Sequence, residues 1–385
     1  MNSSTAPFAL THFDYFDGDQ RIAGQALIID QAKIVSILPE RDLPSDLAKV
    51  DCQGQLLAAG FIDTQVNGGG GVMFNEYPTV EGIQTIVRAH WQGGTTSLLP
   101  TLITDSADVM QQAVHAVGEV VAGHNTGILG IHLEGPHLSV DRRGVHSPQF
   151  IRPFDATTEQ LLHVLSPEHY LLTVAPENQP KGTIHQLAQR GIRVSAGHTT
   201  ATYAQMRAAI EEGVTAVTHL YNAMTPLTSR EPGVVGAALE DDTVYCGIIM
   251  DNHHLHPTTA KLAIAQKASG KMMLVTDAMA TVGSLEKSFR LYNETIYEVD
   301  GRCAKSDGTL AGSALDMASA VRHCVHFGIP LPEALRMASL YPATFMGVAQ
   351  RLGKIALGYQ ADLVLLNQDL HVQQTWCAGT LRYSA

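Results

Sequence analysis

Apolar residues along this chain gather into short continuous runs, each closing on a polar group, and that pattern predicts the fold. Eight such runs stand out: Gly60–Asn67, Thr96–Thr101, Ile128–Glu134, Tyr170–Glu177, Ile192–His198, Ala216–Asn222, Tyr245–Asp251 and Met272–Asp277. They are β-branched or aliphatic and unbroken rather than alternating, as strands covered on both faces of a parallel sheet must be. Helix-like segments separate them, among them Thr79–Trp91, Ser106–Val121, Thr200–Glu212 and Pro257–Ala268. Several open on Thr, Ser or Pro and end near a glycine such as Gly93, Gly213 or Gly270. Repeated strand-then-helix units predict a (β/α)8 TIM barrel, a fold that carries its chemistry at the C-terminal ends of its strands.

The two ends of the chain follow another pattern. Residues 1–57 contain FALTHFDYFDG, GQALIID and AKIVSILPE, short strands split by Gly and Asp turns, and residues 352–385 contain DLVLLNQDL and a last strand-like segment. Neither end is long enough for a core of its own, so the two are expected to pair into one small β-sandwich domain. Residues 58–351 then form the barrel domain, with two closing helices near Ser313–Phe327 and Pro332–Met346.

Composition narrows the function. At 385 residues and 45% hydrophobic, the chain has ample core for a barrel and a smaller unit. MNSSTAPFALTHFDYFDG lacks a basic stretch followed by an apolar one, and no apolar run approaches the ~20 residues of a membrane span. No leader, no membrane association and a cytoplasmic location are therefore expected. The five cysteines are scattered and never form a CxxC pair, which suits reduced buried thiols rather than disulfides or a zinc ribbon. A net charge of −12 argues against nucleic acid as a partner and requires any anionic substrate to find a locally positive pocket.

The polar residues that close the runs carry the candidate chemistry. Glu134 ends the third run and is followed by Gly135 and Pro136, which turn the chain away. A carboxylate at such a place is costly to desolvate unless something positive meets it. His198 closes the fifth run, His219 lies in the sixth, and Asp277 closes the eighth. Two imidazoles and a carboxylate form a known catalytic zinc set with a position open for water. The Gly68–Gly71 run lacks the Lys-Ser/Thr of a phosphate loop and reads as a flexible exit from the first strand.

AAGFIDTQVNG near residue 58, HLEGP at 132–136, GHT at 197–199, THLYNAM at 218–224, REPG at 230–233 and VTDA at 275–278 closely resemble the N-acetylglucosamine-6-phosphate deacetylases of the amidohydrolase superfamily. The closing GKIALGYQADLV at 353–364 fits the same superfamily. The resemblance implies metal-dependent removal of acetate from a phosphosugar, through a metal-activated water. By it, Glu134, His198 and His219 hold one divalent ion per subunit, most plausibly Zn²⁺, and Asp277 is the acid/base. His146 polarises the acetamide carbonyl. Val145, His146, Asn222, Ala223, Arg230, His254, Leu310, Ala311 and Gly312 contact the substrate, Arg230 and His254 at its phosphate. A homodimer is implied, with Arg230 able to come from the neighbouring subunit.

One departure bears on the metal count. Many amidohydrolases carry His-x-His after the first strand; here those positions are Gln65 and Asn67, poor ligands beside imidazole and carboxylate, so a single ion is expected. The galactosamine epimer of the substrate stays open, since no residue reads the C4 hydroxyl. A cyclic-amide hydrolase would bring His-x-His and a carboxylated lysine, which the matching positions lack. A non-catalytic scaffold would have shed some of Glu134, His198, His219 and Asp277.

Overall fold

The computed structural model describes residues 6–123 and 127–385. Residues 1–5 of the expected small domain, which also open the stretch read for a leader, lie outside the described residues.

Eight strands, β1 (Phe61–Val66), β2 (Thr95–Ile103), β3 (Ile131–Glu134), β4 (Tyr170–Val174), β5 (Arg193–Ala196), β6 (Val214–Val217), β7 (Tyr245–Ile248) and β8 (Met272–Leu274), lie side by side in chain order. Their ladders from β2 to β8 are parallel. A parallel bridge between Val66 and Ala278 brings the exit of β8 back beside the exit of β1, so the sheet curls into a nearly closed barrel. Every residue of β1, β2, β3 and β4 is buried. That two-sided burial is the physical origin of the unbroken apolar runs.

Helices follow the strands as expected, including Val80–Trp91, Ala107–Val121, Tyr203–Glu212 and Pro257–Gln266. Their starts are set by side chains. Ser106 accepts from Val109 N–H at 3.3 Å, and Thr202 forms a reciprocal capping box with Gln205.

Four local readings change. β5, β6 and β8 stop short of His198, His219 and Asp277, because the chain there leaves extended geometry: φ is 48° at His198, 32° at His219 and 53° at Asp277. The glycine run is a small ribbon, Gly68–Gly69 paired with Val72–Met73. The second closing helix is broken into Leu331–Ala338 and Leu340–Phe345 at Ser339. Pro342 has no N–H to continue the ladder, and the Ser339 hydroxyl donates to Leu335 O at 2.7 Å. The first closing helix begins only at Met317, since Ser313 belongs to a strand.

That strand is part of a four-stranded antiparallel sheet inserted after β8: Ser288–Leu291, Glu294–Val299, Arg302–Ala304 and Leu310–Ser313. Phe289, Leu291, Ile296, Cys303 and Ala311 bury its inner face with Met73, Ile103 and Met279.

The strands at the two ends of the chain belong to one eight-stranded sheet. Its order is Thr380–Ser384, Val372–Cys377, Leu363–Leu366, Ala48–Ala59, Phe8–Phe16, Gln25–Asp30 and Lys33–Pro39, with Arg21–Ile22 attached to Phe8–Phe16. Leu10, Phe13, Leu27, Ile29 and Leu57 from the first end share a core with Leu363, Leu365 and Trp376 from the last. The chain divides into two compact units. One comprises the segments up to Asp63, His90–Ser97 and Met317–Ala385, and the other Thr64–Ala89 and Leu98–Asp316. The closing helices thus fall with the terminal sheet. No helix among the described residues is long and apolar enough to cross a membrane. All five cysteines are buried and none forms a disulfide.

Candidate active site

Glu134 is the last residue of β3, where its side chain is 2% exposed. His198 and His219 follow β5 and β6 in left-handed backbone, a conformation that is costly for a residue with a Cβ and concentrates at functional sites. That turn directs both rings at the Glu134 carboxylate. Nε2 of His198 lies 3.2 Å and Nε2 of His219 lies 3.0 Å from Glu134 Oε1, and the two nitrogens are 3.0 Å apart.

Burial by itself would push the Glu134 carboxyl up, but the hydrogen bonds and charges of His198 and His219 together hold it well below the usual carboxylate range. His198 Nδ1 sits 2.8 Å from Arg142 O, an acceptor, so this nitrogen carries the proton and the Nε2 lone pair faces the cluster. A tetrahedral ion with ligands at about 2.0–2.1 Å has ligand–ligand edges near 3.3 Å. The observed triangle matches that size, and the three residues are the one group of metal-binding character among those described. The donor set therefore fits a divalent metal ion.

Asp277 stands beside this cluster without joining it. Asn67 Nδ2 donates to its Oδ1 at 2.6 Å, and Gln65 Nε2 donates to the same oxygen at 3.1 Å and to Glu134 Oε1 at 3.2 Å. Gln65 thus bridges the two carboxylates through its N–H groups and Asn67 donates to Asp277 alone, while Asn67 Oδ1 is buried with no partner in the protein. Burial first, and then the charge of Glu134, raise the Asp277 carboxyl to about 6. Gly312 fits against this residue because a Cβ there would lie 2.6 Å from Asp277 O.

His146 lies across the site, buried, its ring centroid 4.3 Å from that of His198. Thr104 N–H donates to its Nδ1 at 3.3 Å, and Thr104 Oγ1 is 2.8 Å from the same atom. Nδ1 is therefore the acceptor of the ring and Nε2 carries the proton. Burial and the neighbouring His198 keep this imidazole well below its ordinary pKa, hence neutral.

A cavity of about 390 Å³ opens over these groups. Its lining brings together Glu134, Val145, His146, His198, His219, Asn222, Ala223, His254, Asp277, Leu310 and Gly312, as expected from the sequence. Ala311 is turned into the core of the inserted sheet, and Arg230 is exposed; neither lines the cavity. His254 is oriented by Asp251, whose Oδ2 accepts from its Nδ1 at 2.6 Å while Oδ1 accepts from the backbone of His253 and His254. His253 meets Asp300 O and His256 caps the helix Pro257–Gln266, so the local run of histidines serves three separate purposes.

Several residues escape sequence reasoning. Asp251 ends a recognised run and was open to notice. Thr104, the Arg142 carbonyl and Met279 carry no signal of their own. His132, two residues before Glu134, is a satisfied core residue, 2.7 Å from Thr173 Oγ1 and 3.3 Å from Thr101 Oγ1, with burial lowering its pKa to about 4.

Comparison with known proteins identifies the family. The model of the amidohydrolase family matches residues 56–382, and that of the NagA composite domain matches residues 8–57. The chain is 46% identical over 331 residues to N-acetylgalactosamine-6-phosphate deacetylase of Shewanella sp. (strain ANA-3), covering 86% of this chain and 84% of the relative. It is 38% identical over 359 residues to N-acetylglucosamine-6-phosphate deacetylase of Haemophilus influenzae, covering 92% and 93%. The crystal structure of N-acetylglucosamine-6-phosphate deacetylase from Pasteurella multocida superposes with a TM-score of 0.93 at 39% identity, over 98% of this chain and 100% of that one. The chain belongs to the amidohydrolase family and, within it, to the deacetylases of N-acetylated hexosamine 6-phosphates.

Proposed function

We propose that this protein hydrolyses the acetamide of N-acetylglucosamine 6-phosphate, giving glucosamine 6-phosphate and acetate. The observation that carries the reading is the meeting of three elements in one cavity: the Glu134–His198–His219 cluster, a separate buried Asp277 carboxyl, and a neutral His146 with its proton on Nε2. Glu134, His198 and His219 would hold one Zn²⁺ per chain, which supplies Lewis acidity to the carbonyl and the attacking water.

The chain's own residues do the rest. Asp277 Oδ1 already accepts from Asn67 and Gln65, which leaves Oδ2 to take the proton of the attacking water and hand it to the departing amine. The raised pKa of Asp277 suits that exchange near neutral pH, and a bound cation lowers it again. His146 Nε2–H donates to the acetamide oxygen as charge develops there. His254, steadied by Asp251, and Arg230 hold the phosphate, so binding far from the amide positions the reacting carbon. Asn222, Ala223 and Val145 shape the sugar subsite, and Leu310 to Gly312 close over the acetyl end.

Arg230 lies outside the cavity of its own chain, which supports a homodimer in which each subunit lends this residue to the other. A cytoplasmic location and a division into a terminal small domain (1–57 and 352–385) and a barrel domain (58–351) complete the reading.

A second substrate has support of its own, because the Shewanella relative at 46% identity is named for the galactosamine epimer. Acetate release measured with both phosphosugars decides between them. A kcat/KM at least tenfold higher for the glucosamine compound supports the reading, the reverse preference replaces it with the epimer, and no release from either overturns both.

A further inference from the structure

We infer that Tyr292, on the inserted sheet, is a positioning residue that fixes the tautomer and orientation of His146 through Thr104. This rests on the role of His146 proposed above.

Tyr292 occupies the tight turn between Ser288–Leu291 and Glu294–Val299. Its φ is 54°, a left-handed conformation that hairpin turns reserve for Asn, Asp or Gly. An aromatic residue held there needs an offsetting interaction, and the side chain supplies it. The ring packs on the core of the inserted sheet, and the hydroxyl donates to Thr104 O at 2.5 Å. The backbone N–H of Ser147 faces the Tyr292 hydroxyl oxygen, and burial first, then the charge of Asp105, pushes the phenol well above its ordinary range. Tyr292 is therefore neutral and remains a donor.

Its two neighbours flank His146 on both sides. Thr104 is the residue whose N–H and hydroxyl meet His146 Nδ1, and Ser147 is the next residue after His146. The Thr104 N–H is what assigns the imidazole proton to Nε2, the atom left to meet a substrate oxygen. With its carbonyl pinned by Tyr292, Thr104 is held in the place that this assignment requires. Tyr292 also lines a smaller cavity of about 170 Å³ that shares the Gly144–His146 wall with the main one. Loss of the hydroxyl would let that wall and the ring shift together.

The test is Tyr292→Phe in the metal-loaded full-length protein, with the ion content checked against the parent. The ring and its packing remain, so the fold is retained. Expected are a fall in kcat of about tenfold with KM within about twofold, since donor geometry and not ground-state binding is lost. Amide exchange over residues 143–148 should be faster than in the parent. In a His146→Asn background the same change should cost nothing more, because it acts through His146. A kcat within about twofold of the parent, or the full tenfold loss repeated in the His146→Asn background, overturns the inference. If the parent releases no acetate from either phosphosugar, the proposed function fails instead. The exchange comparison then decides the positioning role of Tyr292 alone, and unchanged exchange over 143–148 refutes it.

Discussion

In Asp277→Asn the side chain keeps its shape, and its carbonyl oxygen can still accept from Asn67 and Gln65, but the group can no longer carry a proton. General acid–base catalysis contributes about 10²–10⁴-fold, so kcat for deacetylation should fall at least ~10²-fold, or about 2.7 kcal/mol in the barrier. Stability should move the other way. The folded-state pKa of Asp277 is raised from 3.8 to about 6 by burial and by Glu134. A raised carboxyl pKa means the folded state binds the proton more tightly than the unfolded one. Ionisation of Asp277 therefore destabilises the fold, with the full cost present above pH 6 and fading as pH falls towards 3.8. A rise from 3.8 to about 6 corresponds to roughly 3 kcal/mol at neutral pH. In chelated protein at pH 7.5 the variant should melt higher than the parent, and the gap should close near pH 4. In metal-loaded protein the cation favours the ionised carboxylate, so the gain should shrink. Acetate release, elemental analysis and thermal melts of both forms read all of this. A kcat within tenfold of the parent would remove Asp277 from proton transfer. A chelated variant that melts lower would show that burial of this carboxylate carries no penalty.

The remaining predictions are narrower. Arg230→Ala should weaken use of the phosphorylated sugar far more than of free N-acetylglucosamine, by roughly 1.5–3 kcal/mol for each charge-assisted bond lost; equal losses on both would assign Arg230 a structural role. Protein loaded with excess Zn²⁺ and then desalted should retain one ion per chain, and His198→Ala or His219→Ala should lose both ion and activity. Two tightly held ions in the parent would mean that Gln65 and Asn67 act as ligands after all. Lys267→Met should destabilise the protein by about 1–3 kcal/mol while leaving kcat unchanged. Its buried ammonium donates to Ala238 O at 2.6 Å and to Asp241 O at the end of the helix Gly233–Glu240. Denaturant titration beside the deacetylase assay checks both halves.

The barrel was readable because burial on both faces forces each strand to be apolar throughout, as in Tyr170–Val174, and because a carboxylate or imidazole at the end of such a strand has no structural reason to be there. The same reasoning located Glu134, His198, His219 and Asp277. It could not foresee that the last three would sit in left-handed backbone, since nothing in a His or Asp side chain announces that geometry. The inserted sheet was missed for a different reason. Ser288–Leu291 buries only every second residue, and Arg302–Ala304 is too short to hold a pattern at all. Arg142 acts on the site through its carbonyl and Thr104 through its N–H as well as its hydroxyl, and backbone groups are ones every residue owns alike. The break at Ser339 could have been anticipated from Pro342.

The terminal sheet has a consequence for how the chain is made. Ala48–Ala59 pairs with Phe8–Phe16 on one side and with Leu363–Leu366 on the other. The second partner follows the first segment by 304 residues (363 − 59). At translation speeds of about 5–20 residues per second, that edge waits roughly 15–60 seconds on the ribosome before its neighbour exists. Through that interval Leu56, Leu57, Ala58 and Ala59, which are buried in the finished protein, form an apolar strand edge open to any passing chain. The nascent protein is most vulnerable to wrong pairing while its catalytic barrel is still being synthesised.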